Sequence, residues 1–124
     1  MKTVLLYNFS GERLTQVRMA VTLARAGSIL IEKENFCQTL GYLIGAEGYE
    51  KCRDTVCDDF DEELLVMYGF DSKDIDTLIK ALRKCGAGRV ALKAIVTPTN
   101  IDWNGAQLYK AVKEDHEMMN RGKK

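Results

Sequence analysis

Apolar residues fall along this chain in short continuous runs and in stripes at helical spacing, and the two kinds of pattern alternate. Val4-Leu5-Leu6-Tyr7 is a continuous apolar run and reads as a first strand. Asn8-Phe9-Ser10-Gly11 turns the chain, with Ser10 placed to cap a helix. Leu14, Val17, Val21 and Ala24 follow at steps of 3, 4 and 3, which set them on one helical face. Gly27 is read as the glycine that ends this helix, and Ser28–Glu32 as a second strand.

The pattern then returns. A shift of 61 positions carries Tyr7 onto Tyr68, Phe9 onto Phe70 and Ser10 onto Asp71. The helical stripe lands on Ile75, Leu78, Leu82 and Cys85, again at steps of 3, 4 and 3, and Gly27 lands on Gly88. Asp71 and Asp74 have the spacing of a capping box with a short acid. Val90–Val96 completes the series as a fourth strand. The expected organisation is one domain, residues 1–124, of two βαβ halves, about 3–45 and 62–120. An acidic linker of about 46–61 joins them, and the run Asp54 to Glu63 carries six acids, Asp54, Asp58, Asp59, Asp61, Glu62 and Glu63.

The fold class that follows is α/β of the α+β type: two βαβ units around one four-stranded sheet, ferredoxin-like with extra helices. Right-handed crossovers put strands one and three in the middle. Both are continuously apolar, so both faces should be covered. Extra helices near 39–45 and 103–120, or a dimer partner, are expected to do this. A small doubly wound parallel sheet is the alternative. In a parallel layout the turns at Asn8-Phe9-Ser10 and Gly69-Phe70-Asp71 would lie side by side; in an antiparallel one they would sit at opposite edges.

Composition narrows the partners. Lys+Arg and Asp+Glu are both 18, so the formal net charge is zero, which argues against binding by counterion release to nucleic acid or an anionic membrane. The aromatic-bearing strand one has no matching basic, aromatic strand three, so an RNA-recognition sheet is not indicated. No apolar leader precedes Val4 and no run approaches a membrane span, so a cytoplasmic protein with free thiols is expected.

Chemistry is sparsely signalled. Neither Gly-rich phosphate motif occurs, and no cofactor is expected. The acidic stretch lacks the alternation of an EF-hand loop. Cys52 and Cys57 are the only cysteines near knuckle spacing, which makes them the candidate metal or redox pair. His116 is the only histidine, so no Ser-His-Asp or Cys-His arrangement can be drawn.

Lys93-Ala94-Ile95-Val96-Thr97-x-Thr99-Asn100-x-x-Trp103, continued through Leu108 to Glu114-Asp115-His116-Glu117, resembles the bacterial family known as domain of unknown function 3783. The resemblance runs from about Glu62 to Met119. It implies a small bacterial cytosolic protein and carries no activity, cofactor or catalytic residue. It does draw attention to the turn after strand four, where α/β proteins often place sites. The candidate ligand-binding residues are therefore Lys93, Thr97, Asn100, Trp103 and His116. A structural account of the same turn has Asn100 capping the last helix and Trp103 covering the sheet. The expected function is a non-enzymatic binding, regulatory or interaction module, with a homodimer and an unidentified protein or small-molecule partner. The alternative is a small-ligand protein or enzyme using the turn after strand four.

Overall fold

A computed structural model describes residues 2–52 and 60–121. In it, β1 (Thr3–Tyr7), α1 (Gly11–Leu23) and β2 (Gly27–Ile31) are followed by a short 3-10 turn at Lys33–Asn35 and by α2 (Leu40–Leu43). β3 (Leu64–Tyr68), α3 (Ser72–Lys84), β4 (Leu92–Ile95) and α4 (Gly105–Arg121) complete the chain. The α+β class with two βαβ units around one four-stranded sheet is what the structure has.

The sheet order is β2-β1-β3-β4, so the two central strands are the two most apolar ones. β1 runs parallel to β2, β3 runs parallel to β4, and the units meet through an antiparallel β1–β3 pair. That pair overturns the all-parallel alternative. It also places the turns after β1 and β3 at opposite ends of the sheet. Each unit pairs its own two strands directly, where a ferredoxin-like sheet interleaves them.

Both sheet faces are covered, which explains the unbroken apolar runs. On one face Val4, Leu6, Leu65 and Met67 pack with Val17 and Val21 of α1 and Leu78 and Leu82 of α3. On the other, Leu5, Tyr7, Leu64 and Val66 pack with Leu40 of α2 and Leu108 of α4, around Phe36 and Phe60. Burying each such side chain stabilises the fold by about 1.5–3 kcal/mol. Phe9 and Phe70 belong to the first core and hold the strand ends under their helices.

The helix ends follow their sequences in part. Asp71 accepts from Asp74 N at 2.8 Å while Asp74 accepts from Asp71 N at 3.1 Å, the expected capping box. Ser10 occupies the N-cap of α1 without a side-chain capping bond. Gly27 does not end α1; it is the first residue of β2. The left-handed residue there is Arg25, with φ 60°, and its counterpart after α3 is Gly86, with φ 89°. In both places paired hydrogen bonds close the helix: Ala26 N to Val21 O and Arg25 N to Thr22 O, then Ala87 N to Leu82 O and Gly86 N to Arg83 O.

Three acids at the end of the acidic stretch are paired. Asp61 meets Lys33 at 2.8 Å, Glu62 meets Lys113 at 2.8 Å, and Glu63 meets Arg13 Nε at 2.6 Å. Arg13 also donates to Ala87 O and Arg89 O, so one side chain of α1 joins both halves. Cys57, Asp54, Asp58 and Asp59 lie outside the described residues.

Candidate functional site

β4 is the last strand of the sheet, and a cleft of about 640 Å³ runs along it. All five residues singled out in the sequence, Lys93, Thr97, Asn100, Trp103 and His116, line this cleft. They do not form one constellation. Alternation along the strand puts Leu92, Ala94 and Val96 on the α4 face, where they join the second core. Lys93 and Ile95 therefore point to the α3 face, beside Leu65 and Met67 of the first core. The cleft wraps the strand edge: Met67, Ile75, Lys93 and Ile95 form one side, and Leu108, Ala111, Val112 and His116 form the other.

The turn after β4 closes one end. Asn100 is buried and fully engaged: its Oδ1 accepts from Thr97 N at 2.8 Å and its Nδ2 donates to Ile95 O at 2.9 Å. Thr97 Oγ1 accepts from Asn100 N at 3.1 Å. These two side chains shape the turn. Asn100 is not the cap of α4, as the sequence suggested. Asn104 is, in a reciprocal pair with Gln107, with both bonds at 2.9 Å. Trp103 packs half-buried against the second core, covering the sheet.

Lys93 is half-buried, and its Nζ donates to Val90 O. Removal from water pushes its ammonium below the usual lysine range, and the nearby Arg89 charge adds to the effect. Asp115 and His116 line the α4 side of the cleft.

The strand edge itself belongs to the cleft, which sequence reading missed. Val96 N bonds Met67 O at 2.8 Å, which fixes the parity of the parallel ladder. Leu92, Ala94 and Val96 direct their backbone groups to β3, so Lys93 and Ile95 direct theirs outward into the cleft. Of these outward groups, Ile95 O is taken by Asn100. On the α4 side the sheet is covered by a helix of 17 residues, whereas α2 spans four.

The cysteines follow a different course. Cys52 and Cys85 are free thiols, whereas Cys37 is disulfide-bonded, so the expectation of free thiols fails there. Cys52 is held through its backbone: its N donates to Gln38 Oε1 at 2.6 Å and its O accepts from Gln38 Nε2 at 3.1 Å. Cys57, the other half of the candidate pair, lies outside the described residues. Among the described residues no group of three or more His, Cys, Asp or Glu side chains could hold a metal. No helix among them is long and apolar enough to cross a membrane.

Fold and cleft together define a small α+β protein with an open groove on one sheet edge. Residues 63–119 match the model of the family described as Domain of unknown function (DUF3783), and over that stretch the chain resembles its members. The match takes in β3, α3, β4 and nearly all of α4, and it includes every residue that lines the groove. Comparison with curated proteins and with solved structures returns no match.

Proposed function

We propose that this protein is a non-enzymatic interaction module that binds an extended peptide segment as a fifth strand along β4. The observation that carries this reading is the form of the groove. It straddles a strand edge that no other strand among the described residues pairs, and its lining is largely apolar on both faces, with Lys93 on one and Asp115 and His116 on the other. An added strand sends alternate side chains to opposite faces, so it would fill both sides at once while bonding to the backbone of Lys93 and Ile95.

A small-ligand pocket is less well supported, because the polar atoms of Thr97 and Asn100 are already used within the turn. Lys93 and His116 also stand on opposite sides of the strand. The family resemblance supports a cytoplasmic protein of bacterial origin. Met19 and Leu23, each 55% exposed on α1, support a homodimer as part of the same reading.

Ile95→Pro is the direct test. It removes an N–H that points outward and leaves the ladder to β3 intact. Peptides from a randomised heptapeptide display library should be retained by the unaltered protein and lost from this variant, with little change in its melting temperature. Equal retention by both proteins would sink the proposal.

A further inference from the structure

Among the described residues the groove offers one cation, Lys93, on its α3 side and otherwise apolar lining there: Met67, Ile75 and Ile95. From this we infer that the partner strand carries an acidic residue that faces Lys93, flanked on both sides by apolar residues that face α4. The inference rests on the strand-addition reading and adds its specificity.

Geometry and solvation both support it. Lys93 sits at the centre of the exposed edge, on a strand of four residues. A lysine there disfavours pairing with a second copy of the same edge, since two ammonium groups would be brought together. It favours a strand of opposite charge for the same reason. Among the described residues Lys93 Nζ makes one hydrogen bond, to a backbone carbonyl, and is pushed toward neutrality by burial and by Arg89. An incoming carboxylate would supply a counter-charge that Lys93 does not receive among the described residues, through a charge-assisted bond. The side chains that flank the acid in sequence point the other way, toward Ala94, Leu108, Ala111 and Val112, which accept apolar groups. The remaining titratable groups on the groove, Asp115 and His116, belong to that α4 side and do not share the Lys93 face.

The test is selection of the heptapeptide library on the unaltered protein, on Lys93→Met and on Lys93→Glu. Peptides from the first should be enriched in Asp or Glu at one position between apolar residues. That enrichment should vanish with Lys93→Met and turn to Lys or Arg with Lys93→Glu. A selected Glu peptide should bind roughly tenfold more tightly than its Gln counterpart, the ratio expected of one charge-assisted hydrogen bond. With Lys93→Met the two peptides should bind alike. Amide hydrogen exchange should slow at Lys93 and Ile95 when the peptide binds. Peptides that slow those amides without any preference for acid would overturn the inference and leave strand addition standing. If no peptide slows them, strand addition itself falls. If they are slow without peptide and the protein self-associates, the occupant is a second copy and both statements fall.

Discussion

Thr39 and Asn104 face each other across an isolated antiparallel bridge, and each caps a helix. Thr39 Oγ1 accepts from Tyr42 N at 3.2 Å at the start of α2, and Asn104 Oδ1 accepts from Gln107 N at 2.9 Å at the start of α4. Leu40 N donates to Trp103 O at 2.8 Å and Gly105 N donates to Phe36 O at 3.0 Å, so the two capping turns are tied together. The antiparallel β1–β3 pair and this bridge relate the halves in the same sense, one in the sheet and one beneath it.

The first prediction separates Asn104 from Asn100. Asn104→Ala removes one exposed cap and should lower unfolding free energy by about 1 kcal/mol. Asn100→Ala should cost more, about 2–4 kcal/mol, because it strands Thr97 N and Ile95 O where they are partly buried. Urea denaturation of both variants checks the order. An Asn104→Ala loss larger than that of Asn100→Ala would show that the turn after β4 is not held by Asn100.

These turns show what could be read from the sequence and what could not. The shift of 61 that relates β1 to β3 and α1 to α3 becomes 65 beyond α3, because seven residues, 85–91, separate α3 from β4 where three, 24–26, separate α1 from β2. The strand Gly27–Ile31 therefore matches Leu92–Ile95 and not the stretch from Gly88, and Asn35 and Thr39 match Asn100 and Asn104. Periodicity within an element survived; the register across a longer loop did not. The lining residues of the groove were legible because a single turn gathers Thr97, Asn100 and Trp103. That Lys93 and His116 fall on opposite sides of a strand depends on where that strand ends in the sheet, which no local pattern encodes. Phe60, buried among acids and stacked on Tyr109 with ring centroids 4.3 Å apart, was missed because charge dominates its neighbourhood.

Arg25 supplies a second prediction. It holds φ 60° at the position where α3 is followed by Gly86. A side chain in this conformation is strained, and glycine is not. Arg25→Gly should raise unfolding free energy by about 1 kcal/mol. Gly86→Ala should lower it, since the added methyl would also approach Gln16 Nε2 to 3.1 Å. Thermal denaturation of the two variants should move in opposite directions; a fall in melting temperature for Arg25→Gly would contradict the account.

Tyr7 lies at the centre of the second core with no accessible surface, and its hydroxyl has no hydrogen-bond partner among the described residues. Its ring fills the space that a side chain at position 105 would need: a methyl on Gly105 would come within 2.6 Å of it. Tyr7→Phe keeps the ring and removes the unpaired polar group, so it should raise stability by about 1 kcal/mol or more. Gly105→Ala should destabilise by about 1–3 kcal/mol through overpacking. If Tyr7→Phe lowers the urea midpoint, the hydroxyl is paired and this reasoning fails.

The last prediction concerns pH. Glu62 accepts hydrogen bonds from Lys113 Nζ at 3.0 Å and from Tyr109 Oη at 2.6 Å. The Lys113 bond first, and the Tyr109 bond second, hold its carboxyl below the ordinary 4.5. The same contact pushes the Tyr109 phenol up to about 12 and raises Lys113. A depressed carboxyl stabilises the fold above its unfolded value and loses that contribution as pH falls through its folded value. A raised phenol contributes below its unfolded value near 10 and loses the contribution as pH rises toward 12. The cluster is thus at full strength between about pH 5 and 9. Because Glu62 and Lys113 are partly exposed, the effect should be small and salt-sensitive. Glu62→Gln should flatten the acid limb of the stability profile in low salt, and Tyr109→Phe should remove the ultraviolet phenol titration near pH 12. An acid limb unchanged in Glu62→Gln would assign it to other carboxylates, with Asp74, held low first by Lys2 and then by the Asp71 backbone, as the next to substitute.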